Sequence, residues 1–405
     1  MSMKDHLKKY SKRIAYLSTF AILLSCGNSK QEVTEEIPVP VDTFTPNPQV
    51  VSEKPIAKLG IGDPAPPFNL PDIHGNFKEL SDYSEKDVLV VNFTCNHCPT
   101  AQAYEDRYIN LVKEYADKSV AFIAISPNSP IAILPEELGY TDLSDFYEEM
   151  KLRASDKGYN FDYLYDGNTH EFSTAYGPTA TPHVFVFDKE RKLRYSGRID
   201  AKEKPGTGNA EDLRMAIEAT LNGQALAADQ AQTPAFGCSI KWAWKNEYTL
   251  KMNADWAKKE VKLEKMKPSE LEVLLKNDSD QLLLVNFWAT WCGPCIIEYP
   301  EFINIQRMYG ARDFRFVSIS MDNPESLDKA LKYLKSKASA VPNYLMDTED
   351  KYEVIKVVGE DWDGSLPITL LIEPGGKLAY KVPGTIEALA LKKAIVDHPM
   401  IGRYY

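Results

Sequence analysis

The sequence predicts an α/β fold made of two like units in tandem, each a central mixed β-sheet flanked by helices. Three observations predict it. Two nearly all-apolar runs, DVLVVNFT at 87–94 and QLLLVNFW at 281–288, have the composition of strands covered on both faces. Each is followed by a Cys-x-x-Cys, as VNFTCNHCP at 91–99 and VNFWATWCGPC at 285–295. The elements after each motif then come in the same order at similar spacing, as an internal duplication gives. Cys98 to Ser126 is 28 residues and Cys295 to Ser320 is 25; Cys98 to Pro182 is 84 and Cys295 to Pro367 is 72.

In the first unit the strand 87–94 leads into a helix over 95–115, where Tyr104, Tyr108, Leu111, Val112 and Tyr115 recur at helical spacing. Residues 119–126 form a second buried strand, 143–154 a helix, 161–165 a strand and 170–176 a short helix. Strands at 183–187 and 192–195 flank a turn, and 210–221 closes the unit as a helix. In the second unit the order is helix 269–276, strand 281–288, helix 292–309, strand 314–320 and helix 324–336. A hairpin of 368–372 and 378–381 turns on Pro374-Gly375-Gly376, and 386–396 is the last helix.

At 405 residues the chain holds two domains of ordinary size. Its formal charge of −11 repels phosphate backbones and excludes nucleic acid as a partner. The basic residues Lys4, Lys8, Lys9, Lys12 and Arg13 precede the apolar run 14–24 and then Ser25-Cys26. That run is shorter than the ~20 residues a spanning helix needs, and its order is that of an export signal. The ending L-L-S-C resembles a bacterial lipoprotein signal, which implies cleavage before Cys26 and lipidation of its thiol. Without residues 1–25 the chain has 42 Lys and Arg against 57 Asp and Glu, a net −15. Residues 26–57, with five prolines and few large apolar side chains, read as an extended stalk. The expected domains are therefore 58–245 and 246–405.

A Cys-x-x-Cys where a strand meets a helix brings both sulfurs to one face of a turn. Unpaired N–H groups at the helix start stabilise a thiolate, and the thiolate attacks disulfides. On this reasoning Cys95 and Cys292 ionise readily and attack, while Cys98 and Cys295 resolve the mixed disulfide. His97, cationic near neutral pH, is expected to favour the neighbouring thiolate of Cys95 and make CNHC the more oxidising centre.

FWATWCGPC resembles thioredoxin. Its extension through Glu298 and Pro300 is similar to membrane-tethered extracytoplasmic thioredoxins that act as reductants, including those of cytochrome c maturation. The resemblance implies a cis-proline at Pro367, a buried proton-handling carboxylate at Glu298, and functional Trp288 and Trp291. Asn286 departs from it: many thioredoxins keep a titratable aspartate at that strand position. GDPAPPFNL at 62–70, NFTCNHCP and ATPHVFVFD at 180–188 resemble the redoxin branch, the alkyl hydroperoxide reductase and thiol-specific antioxidant proteins. That implies a cis-proline at Pro182, and a first unit reaching FGCSIKW at 236–242.

The function so implied is thiol–disulfide exchange in the bacterial cell envelope through two Cys-x-x-Cys centres. The clients are protein thiols and disulfides, an upstream redox partner supplies one or both centres, and no cofactor is required. Electrons pass either from the second centre to the first or from each to separate clients. Three alternatives stand beside it. A thiol peroxidase is one, although the pattern P-x-x-x-[TS]-x-x-C is absent: Val88 stands seven and Asn92 three before Cys95. A copper or zinc carrier using Cys95, His97, Cys98 and His183 is the second. A scaffold stapled by inert disulfides is the third. Cys238 is either a third thiol that pairs with Cys95, Cys98 or a client, or a small buried apolar residue. His74 and His170 read as surface or packing residues.

Overall fold

The computed structural model describes residues 44–359 and 361–404; the export signal and Cys26 lie outside them. The chain enters through a hairpin of β1 (Asn69–Pro71) and β2 (Phe77–Glu79), which the sequence reading left out. β3 (Val88–Phe93) is buried along its whole length and lies at the centre of a five-stranded sheet. After it come α1 (Pro99–Glu114), β4 (Val120–Ser126), α2 (Tyr147–Lys157), β5 (Asp162–Tyr165), α3 (Glu171–Tyr176), β6 (His183–Phe187), β7 (Leu193–Gly197) and α4 (Glu211–Leu221). The sheet order is β5-β4-β3-β6-β7, with β3 parallel to β4 and antiparallel to β6. Burying each Val or Leu of β3 contributes roughly 1.5–3 kcal/mol, which is why this strand needs a layer on both faces.

The second half follows a linking helix, α5 (Asn246–Ala257), and repeats the topology. Its elements are β8 (Glu264–Met266), α6 (Pro268–Lys276), β9 (Leu282–Trp288), α7 (Gly293–Tyr309), β10 (Phe314–Ser320), α8 (Leu327–Ser336), β11 (Asn343–Met346), α9 (Lys351–Val358), β12 (Ile368–Ile372), β13 (Leu378–Pro383) and α10 (Ala388–Val396). The order β13-β12-β9-β10-β11-β8 is that of the first sheet with one further parallel strand on its edge. β8, β11 and α9 had no expected counterpart.

The halves meet along the last turns of α7. Tyr309 donates its hydroxyl to the Thr141 carbonyl at 2.8 Å, and Arg312 donates to the Gly139 carbonyl at 2.8 Å. Arg307 binds both oxygens of Glu136 at 2.7 and 2.9 Å, and Arg403 reaches Asp142 at 2.8 Å. Cys292 caps the opposite end of this 17-residue helix, about 25 Å away at 1.5 Å per residue. No helix among the described residues is long and apolar enough to cross a membrane.

Candidate active sites

In the second half the expected geometry is present. Cys292 is the N-cap of α7, and its sulfur accepts the Cys295 N–H at 3.3 Å. Cys292 and Cys295 are joined in a disulfide, and the Leu366–Pro367 bond is cis. Trp291 is 59% exposed beside the motif, whereas Trp288 is buried and donates to Ser318 Oγ at 2.8 Å.

Glu298 lies one turn after Cys295 on the same helical face. Its carboxylate accepts the Ile386 N–H at 2.8 Å and the Asn286 amide at 3.4 Å, and burial raises its pKa to about 7. Asn286 also donates to Thr369 Oγ1 at 3.1 Å, so the non-titrating residue on β9 orients the one that titrates. Pro300, inside α7, has no N–H for the Ile296 carbonyl. The Tyr333 hydroxyl donates to that carbonyl at 3.1 Å instead, with its ring 5.0 Å from Trp288.

The first half differs in one decisive way. The periodicity led to a helix from residue 95, but α1 begins at Pro99 and its N-cap is Cys98. Asn96 and His97, the two inner residues, are pulled out of the helix by the loop before α2. Asp145 Oδ1 accepts both of their N–H groups, at 2.8 and 3.1 Å, and Asn96 donates to the Ser144 carbonyl at 2.9 Å. Pro99 then falls at the first helical position, where its missing N–H costs nothing.

This shift moves the helix cap from Cys95 to Cys98. Burial opposes ionisation of both sulfurs. For Cys98 that is outweighed by hydrogen bonds from the Cys238 and Cys95 thiols, the charge of His97 and the Ala101 N–H at 3.4 Å, so its pKa falls well below the usual thiol value. A contact of 3.2 Å to the Thr181 carbonyl favours the protonated form but does not reverse the balance. For Cys95, burial, the hydrogen bond to Cys98 and the charge of Asp145 all raise the pKa well above the usual value. The expected helix cap thus falls on the second sulfur of the pair and not on Cys95.

His97 is buried, and its Nδ1 lies 2.7 Å from Asp145 Oδ2. Burial alone would lower its pKa, but the charge and hydrogen bond of Asp145 hold it above the ordinary imidazole value. The Asn128 amide donates to the same Asp145 oxygen at 2.7 Å. The Thr181–Pro182 bond is cis, and Thr181 Oγ1 lies 3.2 Å from Cys95 Sγ. Sequence reasoning missed both Asp145 and Thr181, because nothing local ties either to the cysteines across 50 and 86 residues.

His183 does not approach the dithiol. Its Nδ1 accepts the Thr179 N–H at 3.1 Å and its Nε2 pairs with Ser196 Oγ at 3.0 Å, while burial lowers its pKa to about 4. The alternative metal set of Cys95, His97, Cys98 and His183 therefore does not assemble among the described residues. The donors that do converge are Cys95, His97 and Asp145, within 4.8 Å of one another. His170 is buried with its ring edge-on to the stacked Trp242 and Trp244, and His74 is exposed.

Residues 237–243 dock on the first half. Lys241 exchanges backbone and side-chain hydrogen bonds with Ser129 and Asn128, and the Ala243 N–H donates to His170 Nε2 at 2.7 Å. Cys238 is a half-buried free thiol against Cys98, so it belongs to the first site and not to a linker.

The repeated fold and paired cysteines define a thioredoxin-superfamily protein of the thiol-disulfide oxidoreductase class. The AhpC/TSA family matches it twice, at residues 61–196 and 239–381, and the chain belongs to that family. It is 39% identical over 80 residues to thioredoxin-1 of Saccharomyces cerevisiae, covering 20% of this chain and 70% of that protein. It is 31% identical over 108 residues to the thiol-disulfide oxidoreductase ResA of Bacillus subtilis, covering 26% of this chain and 54% of that protein. Among solved structures, a hypothetical protein of Sinorhizobium meliloti is 32% identical with a TM-score of 0.41, covering 46% of this chain and 96% of that one.

Proposed function

We propose that the chain exchanges disulfides with protein clients at two independent centres, Cys95–Cys98 and Cys292–Cys295, in the bacterial cell envelope. One observation carries this reading: each half holds a cysteine at a helix N-cap, with an N–H donated to its sulfur and a cis-proline immediately before the strand antiparallel to the central one. Cys292 attacks and Cys295 resolves in the second centre, where Glu298 takes the proton from the resolving thiol. In the first centre Cys98 is the attacking sulfur, Cys95 its partner, and His97 supports the thiolate.

Separate clients fit better than a relay between the centres. The polar contacts between the halves lie at the far end of α7 from Cys292, so a relay requires the halves to part. Envelope attachment through a lipid on Cys26 rests on the basic, apolar, small, Cys order of the first 26 residues. Loss of the protein from the membrane fraction in Cys26→Ala tests it.

Reduction of insulin disulfides by the full chain with dithiothreitol tests the activity. Wild type accelerates precipitation, Cys292→Ser loses most of the rate, and a wild-type rate equal to dithiothreitol alone contradicts the reading. Peroxide consumption no faster than that of a Cys95→Ser/Cys98→Ser variant distinguishes exchange from peroxidase activity.

A further inference from the structure

The two halves carry the same loop before their cis-prolines, but only one of these loops is free. In the second half neither the N–H nor the carbonyl of Leu366 bonds to any described residue. In the first half both groups of the matching residue, Thr181, are taken by one partner. Thr181 N–H donates to the Cys238 carbonyl at 3.0 Å, and Cys238 N–H donates to the Thr181 carbonyl at 3.2 Å, an antiparallel bridge. Such paired hydrogen bonds are how an extended peptide adds itself to a backbone edge.

The approach is built into the sequence. A Cβ on Gly237 would stand 2.0 Å from the Thr181 carbonyl oxygen, and its φ of +146° is one that side chains rarely adopt. The same segment brings sulfur to sulfur. Cys238 N–H donates to Cys98 Sγ at 3.3 Å, and the partly buried Cys238 packs against the buried cluster of Cys95, Cys98 and Ala101.

We infer that residues 236–240 are a built-in client of the first centre, and that Cys238 forms a disulfide with Cys98 that closes the groove when this centre is oxidised. The inference rests on the exchange reading of that centre. Once a client disulfide has taken two electrons from Cys95 and Cys98, Cys238 Sγ attacks Cys98 Sγ. The Cys95–Cys98 bond breaks as the Cys98–Cys238 bond forms, and the proton lost by Cys238 passes to the Cys95 sulfur. This isomerisation moves no net electrons. It leaves Cys95 as a buried thiol and the client position covalently filled, so an external thiol must first reduce or displace Cys238.

The test uses the full chain with Cys292→Ser and Cys295→Ser, so that only the first centre reports. Adding Cys95→Ser and oxidising with diamide should join the tryptic peptide containing Cys98 to that containing Cys238. Cys98 and Cys238 both remaining open to alkylation, with the circular dichroism of the parent, overturns the inference. A second measurement covers poor folding of that variant. With Cys95 retained, the oxidised centre should be reduced by an external dithiol peptide about tenfold faster in Cys238→Ser than in its parent. Equal rates overturn the closed-groove claim. The crosslink is read by mass, so it stands or falls apart from any failure to exchange with clients.

Discussion

His97 Nδ1 and Asp145 Oδ2 lie 2.7 Å apart with both side chains buried, and Asp145 also holds the backbone of the two residues between the cysteines. One carboxylate thereby sets where the helix starts and which sulfur it caps. His97→Ala leaves Asp145 buried without its cation, and loss of one partner of a buried pair costs about 3–5 kcal/mol. Urea unfolding should show that loss, and His97→Ala/Asp145→Ala should recover part of it. A double variant no more stable than the single one would show that the pair is not the anchor.

The same pair acts on the chemistry. His97→Gln removes the charge that favours the Cys98 thiolate, so alkylation of Cys98 at pH 7 should slow by roughly tenfold, about one pKa unit. Mass-resolved iodoacetamide labelling reads this directly, and an unchanged rate would exclude His97 from the thiolate's support.

Two unlike environments predict two unlike potentials. Cys98 has the nearby His97 ring and the Cys238 N–H in addition to the helix end, whereas Gly293-Pro294 brings no charge to Cys292. Stabilising the reduced thiolate makes a pair more oxidising. Glutathione redox titration of the full chain, with one centre at a time replaced by serine, should place CNHC above CGPC. The reverse order would contradict the electrostatic account.

Glu298 predicts a pH dependence. Folded, it holds its proton to about pH 7, against an ordinary value near 4.5. Between these values the folded state binds the extra proton, so its contribution to stability is full below about 4.5 and declines as pH rises toward 7. Glu298→Gln should flatten stability over that window and abolish the rise in the insulin-reduction rate near pH 7. A rate profile identical to wild type would remove Glu298 from proton transfer.

What the sequence disclosed follows from how local each signal is. The buried strands and the duplicated order were legible because apolar runs are read within a few residues, and both cis-prolines were expected from the resemblance of the motifs around them. The start of α1 was not, since helical periodicity from Tyr104 onward says nothing about a carboxylate 50 residues downstream of Cys95 that unwinds the first turn. Cys238 was legible as a thiol that could pair with Cys95 or Cys98, but its backbone pairing with Thr181 was not, because that edge is 57 residues away. β8 is a three-residue edge strand and β11 a four-residue strand beside it, both too short for their alternation to be read, and the sheet recruits them by pairing.

The central claim is that the helix-capping sulfur is the nucleophile, whichever cysteine of the motif that is. Alkylation rates of Cys95, Cys98 and Cys292 in the fully reduced chain, followed residue by residue from pH 4 to 10, test it most directly. The account predicts that Cys98 and Cys292 react first, with apparent pKa values below ~8.5, the ordinary thiol value, and that Cys95 lags behind both. Cys95 reacting ahead of Cys98, or all three titrating as unactivated thiols, would contradict it.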